Sequence, residues 1–90
     1  MITDKTVYKI SKLFRLQWEK SQDAYVLLYP EGMVKLNGSA GEIMSRINGE
    51  RNLSQIVEEI ESKFNTEGVR NDVISFLEIA AKQGWISSET

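Results

Sequence analysis

The 90-residue sequence predicts an α+β fold, a three-stranded antiparallel meander followed by three helices. Three observations predict it. Phe14 to Glu19 alternates apolar and polar residues with the period of a half-buried strand. Tyr29-Pro30-Glu31-Gly32 separates two apolar runs with hairpin chemistry. After Leu36, three stripes with helical spacing follow one another to Gly84.

In the first strand, Phe14, Leu16 and Trp18 point one way and Arg15, Gln17 and Glu19 the other. Lys20 to Asp23 is a polar turn. Ala24 to Tyr29 is apolar on both faces, which suits a central strand. Pro30 offers the fixed φ of a type I turn, and Gly32 suits a glycine bulge closing it. Met33 to Leu36 then returns antiparallel to the central strand.

Ser39-Ala40-Gly41-Glu42 matches a capping box. The stripe Ala40, Ile43, Met44, Ile47 follows, with Gly49 as C-terminal cap. A second helix starts at Asn52, with Gln55 three residues on and a stripe of Leu53, Ile56, Val57, Ile60 and Phe64. The third runs from about Val69 to Gln83. On its wheel Val69, Val73, Phe76, Leu77 and Ala80 form the core stripe, flanked by Ile74, Ala81 and Ile79. Its apolar arc spans roughly 200°, about twice what a core contact needs. The surplus either wraps under the sheet or forms one wall of a groove. Trp85 and Ile86 fold back on the core.

Ninety residues make one small domain, which buries only about 60–65% of the surface its unfolded chain exposes. Residues 1–12 read as an N-terminal arm and 13–90 as the domain. At 41% hydrophobic and 27% charged the composition is that of a soluble globular chain. No apolar run approaches membrane-helix length and no signal peptide is evident, so cytoplasm is the default. With no cysteine, disulfides and thiolate metal sites are excluded.

The sequence has no histidine, so acid–base and nucleophilic chemistry lack their usual carriers. Glu58 and Glu61 share a helical face but lack the histidine of a di-metal site. The glycines stand singly at turns and helix ends, so no phosphate loop is present. No cofactor, metal or catalytic residue is expected. With 11 basic and 13 acidic residues, net charge −2, nucleic acid is a poor partner. What remains is binding. An outer strand leaves a row of unpaired N–H and C=O groups, and the edge of Met33–Leu36 could accept a peptide as a fourth strand. Alternatively, a helix or the arm around Thr6 to Ile10 covers that edge.

Phe14 to Met44, above all "RLQWE", "YVLLYPEG" and "VKLN", resembles the PqqD family, the peptide chaperones of pyrroloquinoline quinone biosynthesis; "GWI" at Gly84–Ile86 agrees in kind. The likeness covers Leu13 to Ile86. It implies a winged-helix-like domain of the kind called a RiPP recognition element, which binds the leader of a ribosomal precursor peptide. The peptide implied is PqqA, and the domain presents it to the radical S-adenosylmethionine enzyme PqqE for crosslinking of a Glu to a Tyr, without catalysing anything itself. In such elements the peptide adds beside the third meander strand and lies against the third helix. The implied site is therefore Met33, Val34, Lys35 and Leu36, with the backbone of the last three pairing to the peptide. Val73, Phe76 and Leu77 form the apolar wall with Ile74, and Arg70 and Lys35 supply positive charge. The leader-binding domain of another modified-peptide pathway is the nearest alternative. A winged-helix DNA reader is disfavoured because Asp72 and Glu78 offset Arg70 and Lys82. A homodimer is compatible with an open edge.

Overall fold

The computed structural model describes residues 3–89. Five strands and three α-helices follow in order, with one 3-10 turn (Lys20–Gln22) after the second strand: β1 (Val7–Ile10), β2 (Arg15–Glu19), β3 (Ala24–Tyr29), β4 (Gly32–Lys35), α1 (Gly38–Met44), α2 (Leu53–Phe64), α3 (Arg70–Lys82) and β5 (Ile86–Glu89). The meander β2-β3-β4 and the three helices are as the sequence predicts. A second, two-stranded sheet pairs β1 with β5.

The β1–β5 pair joins the segment expected as an N-terminal arm to the last strand. Val7 stands opposite Glu89 and Ile10 opposite Ile86, so residues 7–10 and 86–89 zip together. Tyr8, in the expected arm, is 2% exposed and belongs to the core. The same segment also closes the start of α2. Its Asp4 and Thr6 carbonyls accept from the amides of Ser54 (3.1 Å) and Leu53 (3.0 Å), while the Asn52 side chain accepts from Gln55 N–H. Three of the amides that a helix start leaves without intrahelical partners are thereby satisfied. The Gln55 side chain accepts in turn from Asn52 N–H, completing a capping box at the helix start that the sequence places at Asn52.

In the meander, Leu16, Leu27 and Val34 align across the three strands, and all three belong to or pack on the core. The opposite face carries Arg15, Gln17, Met33 and Lys35, all exposed. On that face Val26 lies between Gln17 and Lys35. Tyr29 pairs directly with Gly32, so the hairpin connection is the two residues Pro30 and Glu31, without the bulge expected at Gly32.

The cap of α1 differs from expectation. Asn37, not Ser39, caps the helix, its side chain accepting from Ala40 N–H at 2.8 Å. The chain leaves β4 in extended conformation and turns at the first Asx residue it meets, two positions before the serine. The helix ends at Met44, and Ile47 reaches the core from the following turn. Gly41 lets α1 approach β3: a Cβ there would lie 3.0 Å from Tyr25 Cδ2. In α2 the stripe Leu53, Ile56, Val57 and Ile60 is buried as expected, whereas Phe64, its last member, is about half exposed. Phe64 ends the helix, and Asn65 turns the chain away in the left-handed conformation (φ 49°). Trp18 is also half exposed; it sits on an outer strand and packs edge-on against Tyr25, with ring centroids 5.0 Å apart.

Candidate functional site

Among the described residues β4 pairs with β3 alone, and β1 pairs with β5, so the segment Thr6 to Ile10 does not cover the β4 edge. Which groups the edge offers follows from the register. Leu36 stands opposite Tyr25, and its N–H donates to the Tyr25 carbonyl at 3.0 Å, marking a hydrogen-bonded position. Antiparallel ladders alternate, so Val34 (opposite Leu27) is hydrogen-bonded too, while Lys35 (opposite Val26) and Met33 (opposite Leu28) are not. The free N–H and C=O groups therefore belong to Met33 and Lys35. The Val34 and Leu36 backbones, expected to receive a peptide, are already used inside the meander.

Beyond Lys35 the chain runs through Leu36 and Asn37 into α1, and there it meets a hollow of about 500 Å³. Its apolar walls are Ile43 of α1, Ile60 and Phe64 of α2, and Val69 and Val73 at the start of α3. Gly38 and Ser39 line the side nearest β4. Glu61 of α2 holds the far side in place: its carboxylate accepts from the N–H groups of Gly68 (2.9 Å) and Val69 (3.3 Å).

Two carboxylates border the hollow, and they differ. Glu42 accepts from Arg46 Nη1 at 2.8 Å and from Lys63 Nζ at 3.1 Å. The Arg46 hydrogen bond, aided by Lys63, holds its carboxyl below the ordinary value against the opposing effect of burial. Asp72, exposed in the first turn of α3, has no hydrogen bond or ion pair among the described residues.

The wide apolar arc of α3 divides into two flanks. Arg70 forms an ion pair with Asp4, and Glu78, two turns on, adds to the upward shift that burial imposes on the Tyr8 hydroxyl. That flank, with half-buried Ile74 between them, faces the N-terminal segment. Val69, Asp72, Phe76 and Ile79 lie on the other flank by their spacing. There Phe76 meets Trp85 with centroids 6.5 Å apart, and Ile79 is 55% exposed.

Of the residues expected at the site, Met33 and Lys35 offer the edge, and Val34 is half-buried on the core side. Leu36 and Leu77 are core residues (4% and 0% exposed). Phe76 lies on the outer flank and Val73 forms the floor of the hollow. Arg70 and Ile74 lie on the flank turned to β1. Sequence reasoning passed over Val69 as a wall residue, and Phe64, Ile43 and Asp72. Only the exposed last residue of the α2 stripe hinted at them, and it read as core.

Comparison with known proteins now bears on this geometry. Residues 24–86 match the family model described as Coenzyme PQQ synthesis protein D (PqqD). A protein named PqqA binding protein from Methylococcus capsulatus is 44% identical over 81 residues, covering 90% of this chain and 87% of the relative. One of the same name from Pseudomonas aeruginosa is 50% identical over 74 residues, covering 81% and 80%. Among solved structures, the solution structure of the PqqD part of Methylobacterium extorquens PqqCD, described as a functional, stand-alone RiPP recognition element, matches with TM-score 0.79. The match covers 97% of this chain and 95% of that one at 19% identity. The heterocyclase TruD matches with TM-score 0.70 at 21% identity, over 93% of this chain but 12% of TruD. At such identities the two structures speak to the fold alone. With a family model spanning well over half its length and relatives at 44–50% identity, the chain belongs to the PqqD family.

Proposed function

We propose that this chain binds the precursor peptide PqqA by strand addition to β4 and presents it to the radical S-adenosylmethionine enzyme PqqE. One observation carries the reading. The Met33 and Lys35 backbone groups point away from β3 on an edge with no partner among the described residues. An added strand meets two such residues, spaced by about 7 Å. Each backbone hydrogen bond contributes roughly 0.5–1.5 kcal/mol net. Alternate peptide side chains fall on the Val34 side, toward the helices. The chain is a binding module and not an enzyme: its relatives are named for binding, and it offers neither histidine nor cysteine.

Titration of the isotope-labelled chain with PqqA tests the site. The amides of Met33 and Lys35 should shift and become protected from exchange, whereas those of Val34 and Leu36 should keep the protection they already have. Saturable binding with the first two amides unmoved would remove β4 from the mechanism. Presentation is tested by adding PqqE to the loaded and the empty chain. Tighter association with the loaded chain supports it, and equal association of both argues for two independent encounters.

A further inference from the structure

We propose that the outer face of the meander, turned away from the helices, is the docking surface for an acidic patch on the enzyme that receives the peptide. Outward side chains of the peptide complete that surface once a strand is added to β4. The inference rests on the presentation reading and names the surface the enzyme meets.

The sequence makes β3 apolar on both faces, yet the fold covers only one of them. Leu27 belongs to the core and Tyr25 packs on it. Val26 and Leu28, which alternate with them, neither join the core nor pack against it, and the same holds for Met33. Two rows make up the outer face, Arg15–Leu28–Met33 and Gln17–Val26–Lys35. Val26 is 1% exposed, Leu28 is half-buried and Met33 is 49% exposed. Arg15, Gln17 and Lys35 around them are exposed, so no further element covers this face among the described residues. An apolar strip left outside the core and rimmed by polar side chains marks an interaction site.

Charge selects the occupant. Arg15 and Lys35 stand at opposite corners of the two rows, and neither side chain has an ion pair or hydrogen bond among the described residues. Glu19, opposite Ala24 at the end of β2, lies on the same face and accepts from the Ser21 hydroxyl at 3.1 Å. The excess positive charge fits a protein surface with acidic groups around an apolar centre. A second copy of the chain would set two such cations from each protomer against one carboxylate from each, so it fits less well. Two cations are also too few for the backbone of a nucleic acid or for an anionic membrane.

Strand addition links this face to the peptide. Residues directly opposite one another in a ladder project to the same side of the sheet. Peptide residues paired with Met33 and Lys35 therefore project outward, extending the rows of Leu28 and Val26. The loaded chain offers a further column of side chains about 4.8 Å beyond β4, which the empty chain lacks. The enzyme thus has a physical means of telling the two forms apart.

The experiment measures association of PqqE with the full chain, empty and loaded with PqqA, by calorimetry, with Tm recorded for every variant. Arg15→Glu reverses a corner charge two strands from the β4 edge. Leu28→Thr removes apolar area and keeps a residue suited to a strand. Both variants should bind PqqA as the wild type does. Association of the loaded chain with PqqE should weaken about five-fold or more in Arg15→Glu and about three-fold or more in Leu28→Thr. The first loss should shrink as salt is raised. Lys82→Glu, the same charge change at the end of α3, should leave PqqE association unchanged. If Leu28→Thr lowers Tm, Gln17→Glu repeats the test from an exposed position of the face. Wild-type PqqE affinity in Arg15→Glu and in the second variant, with the loaded chain still preferred, would overturn the docking surface and leave presentation standing. Equal association of PqqE with the loaded and empty wild-type chain, both weakened by Arg15→Glu, would overturn presentation and support the docking surface. Variants that change self-association or binding to phosphatidylglycerol vesicles, but not PqqE affinity, would overturn the proposal and assign the face to a second copy or to a membrane. No association of PqqE with the loaded wild-type chain would overturn both readings.

Discussion

Lys35 stands opposite Val26 at a non-hydrogen-bonded position of the β3–β4 ladder, so its N–H faces outward, while that of neighbouring Val34 is bound to Leu27. Proline at the two positions should therefore have opposite consequences. Lys35→Pro removes an outward donor from an edge strand, where proline is tolerated. It should keep the fold and weaken PqqA binding about five-fold relative to Lys35→Ala, which controls for the lost charge. Val34→Pro breaks the bond to the Leu27 carbonyl and leaves it unpaired, so it should cost at least about 1–3 kcal/mol of stability. Chemical denaturation and calorimetry of the three variants distinguish the cases. Equal affinity of Lys35→Pro and Lys35→Ala would exclude the Lys35 amide from peptide pairing.

This alternation also marks where the sequence stopped being legible. The meander and the three helices could be read because alternation, capping and helical stripes are local signals. The Asn52–Gln55 capping box is the clearest case. Strands β1 and β5 carry no such signal. "VYKI" is short, and "ISSE" is mostly polar; they form a sheet because they meet across nearly the whole length of the chain. Which edge groups are free depends on register, set by the two-residue turn at Pro30-Glu31, and a bulge at Gly32 would have altered it. The two flanks of α3 were indistinguishable on a wheel. Only the packing of Asp4 and Tyr8 against one of them separates Arg70 and Ile74 from Val69 and Phe76.

The Tyr8 hydroxyl is buried without a hydrogen-bond partner. Its ring fills the core, so Tyr8→Phe should preserve the packing and remove the cost of the unpaired hydroxyl, raising stability by about 1 kcal/mol. Burial, with Glu78 adding to it, raises the Tyr8 pKa above its ordinary value of 10.0. The neutral phenol is thus favoured in the folded state. Its contribution is fully present below the ordinary value and is lost as pH rises from there through the folded value. The advantage of Tyr8→Phe should therefore widen above pH 10.0. Denaturation midpoints at neutral and alkaline pH provide the check; a destabilised phenylalanine variant would mean that the hydroxyl is hydrogen-bonded in solution.

Glu42 ties α1 to α2 through Lys63, and Arg46, paired with Glu42 in the turn after α1, also reaches Glu59 of α2. Its lowered carboxyl pKa means that the charged form is favoured in the folded state. The stability this confers is present above the ordinary carboxylate value of 4.5 and is lost as pH falls through the lowered folded value. Glu42→Gln should cost about 1 kcal/mol near neutrality, and the gap should close in acid. A gap that persists at low pH would assign the effect to hydrogen bonding or packing rather than to charge.

Gly41 lies in the middle of α1, where alanine would ordinarily favour the helix by about 1 kcal/mol. Here a Cβ would lie 3.0 Å from Tyr25 Cδ2 and 3.4 Å from Tyr25 Cβ. The Tyr25 ring cannot simply swing aside, because Trp18 packs edge-on against it. Gly41→Ala should therefore be net destabilising, by about 1 kcal/mol after the helix gain is subtracted, through overpacking of the α1–β3 contact. The double variant Gly41→Ala with Tyr25→Ala gives the ring room to be absent and should recover the helix gain. In a double-mutant cycle the coupling energy is then favourable to the pair of changes. Additive effects would locate the cost of Gly41→Ala away from Tyr25 and would leave the close approach of α1 to β3 without a role in choosing glycine.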